Sequence, residues 1–93
     1  MPDFYLYILK CGDGSYYIGH TDDIDKRLNE HLQGAGSAYT RRRQPVEVIY
    51  AEAFMNRCDA FEAERRLKGW SRKKKEAFMR GDWETIKKLS NNK

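Results

Sequence analysis

The sequence predicts an α+β domain, a small antiparallel β-sheet with helices packed on it, in the order β-β-α-β-α-α-α. Three observations carry that prediction. Phe4 to Lys10 is apolar and aromatic on both alternating faces, and a second strand-like run follows it across an Asp-Gly turn. At Asp22 the apolar residues change from strand to helix spacing. After Pro45 one further alternating stretch is followed by three helical ones.

The first strand, Phe4 to Lys10, has no polar face for water, so it is expected to be covered on both sides. Cys11, Gly12, Asp13, Gly14 and Ser15 form the turn of a hairpin, and Tyr16 to His20 is its second strand. Ile24, Leu28 and Leu32 then recur at helical spacing, with Thr21 or Asp22 to cap the start and Gly34 to end the helix. Gly34 to Ser37 reads as a flexible loop leading to Tyr39 and three arginines. Pro45 opens a third strand, Val46 to Phe54. There Val46, Val48, Tyr50 and Phe54 alternate with Glu47, Ile49, Ala51 and Ala53. The next helix starts near Asn56 or Asp59 and runs to about Lys68, before Gly69 and Trp70. Ser71 is placed to cap a further helix to Arg80, with Gly81 just past its end. Asp82 caps the last one, in which Glu84 near the start and Lys87 and Lys88 near the end suit the helix dipole.

Length and composition bound the function. Ninety-three residues support a single domain, 1–93, and are too few for a Rossmann pair, a (β/α)₈ barrel or a two-domain cleft. Charged residues make up 34% of the chain, above the average of about 25%, yet twelve aromatics argue against disorder. Cys11 and Cys58 are too sparse for the disulfide framework of a small secreted domain. With His20 and His31 they stand at separations of nine, eleven and twenty-seven, which suit no zinc pairing. The N-terminal stretch lacks a basic segment and apolar core of a leader, and no apolar run approaches bilayer length. A cytoplasmic protein with no membrane contact is expected.

The charge is unevenly placed. The formal balance is +4, but Tyr39 to Lys75 holds eleven Lys/Arg and five Asp/Glu, and the remainder is net acidic. The basic residues form two knots, Arg41, Arg42 and Arg43, and then Arg65, Arg66, Lys68, Arg72, Lys73, Lys74 and Lys75. Such runs are either solvated helix faces or a surface for phosphates.

Two helices break their own apolar pattern. Arg27 and His31 lie on the stripe of Ile24, and Glu64 lies within the stripe of Ala60, Ala63 and Leu67. Each has an ordinary explanation. Arg27 could snorkel to water, His31 could be a hydrogen-bonded core histidine, and Glu64 could pair with Lys68. Together they could instead meet across the sheet beside Tyr5, Tyr7 and Tyr17, and rule-breaking of this kind is typical of functional sites. A set of Tyr, Arg, His and one Glu next to a basic surface suggests phosphodiester chemistry. The carboxylate would hold one divalent metal, the arginine would meet developing charge, and a tyrosine or the histidine would take a proton from water.

Tyr5-Leu6-Tyr7 followed by Tyr17-Ile18-Gly19 resembles the paired tripeptides of the GIY-YIG nuclease superfamily, with the first degenerate and the second intact. Arg27 and His31 are similar to the Arg-x-x-x-His of that family's first helix, and Glu64, before Leu67, Lys68 and Trp70, is similar to its metal-binding glutamate. The separations Tyr7 to Tyr17, Tyr17 to Arg27 and Arg27 to Glu64 are ten, ten and thirty-seven, in the family's order. The resemblance runs from about Phe4 to Phe78 and is to the small single-domain, UPF0213-like members. It implies a central three-stranded antiparallel sheet flanked by helices. It also implies that Tyr7 is the general base or its relay, that Tyr17 positions water and phosphate, and that Arg27 contacts the scissile phosphate. His31 would bond near the tyrosine pair, and Glu64 would ligate one Mg²⁺ or Mn²⁺. Many relatives carry an asparagine after the second helix, where the nearest polar residue here is Asp82, read above as a helix cap.

The expected function is therefore a metal-dependent DNA endonuclease, in repair or recombination, with Arg41, Arg42, Arg43, Lys68, Arg72, Lys73 and Lys74 against the DNA. The alternative is a catalytically weak or inactive nucleic-acid-binding module. A third reading makes Trp70 and Trp83 a docking patch for another protein.

Overall fold

The computed structural model describes residues 4–91. Residues 1–3 and 92–93, and with them the reading of the extreme N-terminus, lie outside the described residues. The elements are β1 (Phe4–Lys10), β2 (Tyr16–Thr21), α1 (Ile24–Leu32), α2 (Ala38–Arg41), β3 (Glu47–Phe54), α3 (Arg57–Lys68), α4 (Arg72–Arg80) and α5 (Trp83–Asn91). The sheet is antiparallel throughout, in the order β2-β1-β3, so the strand without a polar face is the central one. Leu6, Tyr7, Ile8 and Leu9 are at most 1% exposed. This is the expected α+β fold. Among the described residues no helix is long and apolar enough to cross a membrane.

Strand alternation divides the core into two layers. Leu6, Ile8 and Ile18 face α3, where Leu67 covers them, with Trp70 and Phe78 packed alongside. Tyr7, Leu9 and Cys11 face the other way with Val46, against Ile24 and Leu28 of α1 and next to Tyr17. Burying these side chains contributes roughly 1.5–3 kcal/mol each before chain entropy is subtracted.

Several local expectations are corrected. α1 begins after Asp23, whose carboxylate accepts from the Lys26 N–H at 3.2 Å, while Thr21 extends β2 and accepts from the Asp23 N–H. Leu32 is 51% exposed and His31 is fully buried. At about 100° per residue, position 31 returns to within about 20° of Ile24, whereas position 32 overshoots by about 80°. Ser37 is an N-cap rather than loop, since its hydroxyl accepts from the Thr40 N–H and starts the single turn of α2. Four residues are too few to show a helical period.

Strict alternation in the third strand also fails. Tyr50 lies opposite Ile8 and Val48 opposite Leu9, so Ile49 is the extra residue of a β-bulge. Tyr50 and Val48 therefore point to opposite faces. The other caps stand as read: Asn56 and Ser71 accept from Asp59 and Lys74, and Gly81 takes the left-handed conformation after α4. Asp82 accepts from the Thr85 N–H at 3.2 Å and from the Thr85 hydroxyl at 2.7 Å.

Candidate active site

The first group of polar residues is built around Tyr7. Its hydroxyl is 2.9 Å from His31 Nε2, and His31 Nδ1 is 2.9 Å from Thr40 Oγ1. Gln44 ties the two segments that supply this pair, donating to the His31 carbonyl at 3.0 Å and to the Thr40 carbonyl at 2.8 Å. The Arg27 guanidinium pairs with Glu30 at 3.2 Å and lies close enough to the Tyr7 hydroxyl to favour its ionised form. Tyr17 stacks on this group, 5.1 Å from the His31 ring and 6.4 Å from the Tyr7 ring, and Tyr39 packs on Tyr17 at 5.8 Å.

The proton positions follow from donor arithmetic. The buried phenol hydrogen needs an acceptor, and among the described residues the Tyr7 hydroxyl has a single hydrogen-bond partner. His31 Nε2 is that acceptor. The other proton of a neutral imidazole then sits on Nδ1 and is donated to Thr40 Oγ1, whose hydroxyl donates in turn to the Ser37 carbonyl at 3.4 Å.

Burial pushes the Tyr7 phenol up to about 12, against the lowering effect of the nearby Arg27 guanidinium. For Arg27, burial opposes the charged form, but its interactions with Tyr7 and Glu30 outweigh it and raise the guanidinium above its ordinary value. Burial first, and then the Arg27 charge, hold His31 below its ordinary value. The unfolded chain thus takes up a proton at this histidine more readily than the folded one. The stability tied to neutral His31 is complete above about pH 6.5 and declines as pH falls from there toward the lower folded value. The unfolding temperature is expected to drop between about pH 7.5 and pH 5.5, and His31→Gln should flatten that slope. An unchanged slope in the variant, followed by thermal unfolding, would place the sensitivity elsewhere.

Two glycines make the cluster possible. A Cβ built on Gly19 would lie 2.5 Å from the Tyr7 hydroxyl oxygen and 2.7 Å from Cζ, and one on Gly36 would collide with the His31 ring. Tyr7 lies directly across the ladder from Gly19. The glycine that ends Tyr17-Ile18-Gly19 thereby has a steric cause.

Glu64 occupies a different place. α1 and α3 cover opposite faces of the sheet, and among the described residues Glu64 has no hydrogen bond to the tyrosine cluster; β2, which carries both Tyr17 and His20, is the edge strand between them. Tyr7, Tyr17, Arg27 and His31 come together on one face. Glu64 lies on the other face, near enough for its charge to raise the Tyr7 phenol slightly. Its Oε1 is 2.7 Å from His20 Nδ1 and its Oε2 is 2.9 Å from Lys68 Nζ. Burial opposes ionisation of Glu64, but these two hydrogen bonds outweigh it and hold the carboxyl below its usual range.

The basic knots meet at the hairpin turn. Arg43 stacks on Tyr39 with 3.7 Å to the ring centre and binds Asp13 at 3.0 Å. Arg72 donates to the Gly14 carbonyl at 2.7 Å and lies over Tyr16. Asp13 and Gly14 are neighbours, so two segments far apart in sequence flank one end of the sheet. Arg41, Arg42, Lys68 and Lys73 are exposed, and Lys74 lies over the Trp70 ring at 4.3 Å. Trp70 is packed against Phe78, whereas Trp83 is 60% exposed.

His20, Ser37, Thr40 and Gln44 were not singled out by sequence as partners of this site. His20 immediately follows the Tyr-Ile-Gly tripeptide, and Ser37 and Thr40 stand at capping distance. Both signals are local and neither names its distant partner.

A family model described as the GIY-YIG catalytic domain matches residues 3–77. A UPF0213 protein of Bacillus pumilus is 49% identical over 75 residues, covering 81% of this chain and 76% of the relative. One of Streptococcus pneumoniae is also 49% identical, with the same coverage. The solution NMR structure of a UPF0213 protein of Bacillus halodurans superposes with a TM-score of 0.57 at 40% identity, covering 96% of this chain and 98% of that one. A second NMR structure, of an E. faecalis protein, gives 0.60 at 40% identity over 87% and 90% of the two chains.

Proposed function

Since the chain belongs to the GIY-YIG catalytic domain family, we propose that it is a metal-dependent endonuclease that hydrolyses DNA phosphodiester bonds. The observation that carries this reading is the buried hydrogen-bonded chain from Tyr7 through His31 to Thr40, with the Arg27 charge acting on the same phenol. A phenol held against both a base and a fixed cation is costly to assemble, and water activation next to an anion is a use for it.

Burial pushes the Tyr7 phenol up to about 12 and holds His31 below its ordinary value, so full transfer of the proton from Tyr7 to His31 is strongly uphill. A free phenolate is therefore a poor resting species. Tyr7 instead works as a relay: its oxygen takes the proton of the attacking water as its own proton passes to His31 Nε2. The Nδ1–H bond to Thr40 keeps the imidazole in the tautomer that can accept. Arg27, charged and 32% exposed at its side chain, reaches both the phenol and the substrate side, where it would meet the charge growing on the phosphoryl oxygens. Tyr17 orients water and phosphate above the His31 ring.

The residues present fit one hard divalent ion, Mg²⁺ or Mn²⁺. Glu64 is ionised and nearly buried, and Lys68, the partner on Oε2, has a half-exposed side chain free to swing away. Among the described residues no group of three or more His, Cys, Asp or Glu forms a complete cage. Such an ion would keep several waters and take substrate oxygens, and at the β2 edge, where the Glu64 charge still acts on Tyr7, it would supply charge stabilisation at the phosphate. DNA would lie along the basic residues flanking the hairpin turn, with exposed Arg41, Arg42, Lys68 and Lys73 as direct contacts. Arg43, Arg72 and Lys74 are preorganised by stacking on Tyr39, Tyr16 and Trp70. The reading includes a role in DNA repair or recombination on branched or damaged substrates, and a cytoplasmic location for which the free cysteines Cys11 and Cys58 are the support.

The purified chain is expected to nick at least one of duplex, flap, junction and single-stranded DNA with Mg²⁺ or Mn²⁺, and Glu64→Ala should abolish cleavage without unfolding the protein. If no substrate is cut with either metal while binding falls steeply with salt, the chain is a nucleic-acid-binding module instead.

A further inference from the structure

We propose that His20 and Glu64 together form the protein's share of the metal site, an imidazole–carboxylate pair that selects Mn²⁺ over Mg²⁺. The inference deepens the nuclease reading and rests on it for the role of Glu64.

The pair is already at ligand spacing. His20 Nδ1 and Glu64 Oε1 are 2.7 Å apart. Two adjacent ligands of an octahedral ion with bonds of about 2.1 Å lie about 3 Å from each other. A few tenths of an ångström of opening, with the imidazole turned in its own plane so that the Nδ1 lone pair leaves the line to Oε1 by about 45°, would let both atoms face one cation instead of one proton. Both residues are carried on regular elements: His20 on β2, directly across from Leu6, and Glu64 one turn from buried Ala60 and Leu67 on α3. Phe61 packs edge-on against the His20 ring at 5.6 Å and holds its plane. The His20 side chain is 24% exposed and that of Glu64 is 11% exposed, so the approach is open from one side. Lys68 binds the other carboxylate oxygen, Oε2, and leaves Oε1 to this site.

The donor set decides the metal. Mg²⁺ takes oxygen ligands and binds imidazole poorly, while divalent affinity for a mixed nitrogen and oxygen site rises from Mn²⁺ onward through the first-row metals. A lone carboxylate would leave this chain with little preference. As a ligand, the imidazole gives its Nδ1 lone pair to the ion and keeps its proton on Nε2, toward solvent. Two protein ligands leave four positions for water and phosphate oxygens, unlike the closed four-ligand zinc sites.

The test is Mn²⁺ binding to the full chain, read from loss of the free-ion EPR signal, with Mg²⁺ as competitor. His20→Asn keeps an N–H close to the Nδ1 position and so preserves the hydrogen bond to Glu64 without the ligand. It should lower Mn²⁺ affinity by about tenfold or more and erase the preference over Mg²⁺, and Glu64→Gln should abolish binding. Unfolding temperatures check that each variant is folded, and His20→Gln replaces the Asn variant if that one is not. Mn²⁺ binding by folded His20→Asn within about twofold of the unsubstituted chain would overturn the proposal and make His20 a hydrogen-bond partner only. Nicking by that variant with unchanged metal preference would overturn it too, while leaving the nuclease reading intact. Binding that depends on both residues in a chain that cuts nothing would support this site and overturn the nuclease reading.

Discussion

Tyr7→Phe is expected to slow DNA nicking by roughly a thousandfold while leaving a folded protein. The substitution keeps the ring that fills the layer with Leu9 and Val46 and removes only the hydroxyl. What is lost is the hydroxyl bonded to His31 Nε2 beside the Arg27 guanidinium, so water has no relay to the imidazole. The fold is expected to weaken by about 1–3 kcal/mol, because His31 Nε2 is left buried without its donor. His31→Gln should produce a comparable rate loss, and the double variant should be little worse than either single one, since residues that act as a unit are not additive. Single-turnover cleavage and thermal unfolding measured on the same samples separate the two effects. Tyr7→Phe that nicks within tenfold of the unsubstituted chain would rule out the relay.

Gly19→Ala is expected to carry the next largest effect. The added methyl carbon falls 2.5 Å from the Tyr7 oxygen and 2.7 Å from Cζ, and Tyr7 is almost fully buried, so neither side can yield. Overpacking of this kind costs about 1–3 kcal/mol. It should also depress nicking strongly, because the phenol moves away from His31. The cause is steric, and a double-mutant cycle shows it: with Tyr7→Leu in the background, the stability cost of Gly19→Ala should largely vanish. An equal cost in both backgrounds would mean that strand propensity at position 19, rather than the contact with Tyr7, sets the requirement for glycine.

The strands and helices were legible because their signals are local. The doubly apolar run from Phe4 to Lys10 reads as a strand covered on both faces whatever surrounds it, and it is one. The helix capped by Ser71 and closed by Gly81 carries both of its ends in its own residues. The failures have equally specific causes. Leu32 looks apolar at helical spacing, but the angle of His31 is the better match to Ile24 and two hydrogen bonds hold it inward. The bulge at Ile49 shifts the alternation of β3, and an inserted residue leaves no mark in a strand that is apolar or small at most positions.

The site shows the same division. Arg27, His31 and Glu64 are visible as polar residues on apolar stripes because a stripe is a property of one helix. Their partners are not. Thr40 beneath His31, His20 beside Glu64 and the meeting of Arg43 and Arg72 at Asp13 and Gly14 join residues separated by nine to fifty-eight positions. The sequence by itself determined the order of the main elements, the strand covered on both faces, the unequal charge and which side chains are out of place. Only the tertiary structure decided that the out-of-place side chains fall on two faces of one sheet, with Tyr7, Arg27 and His31 on one and His20 and Glu64 on the other. Periodicity is set by neighbours a few residues away, whereas a face is assigned by strand register and by which helix covers it. Those are long-range choices made by packing.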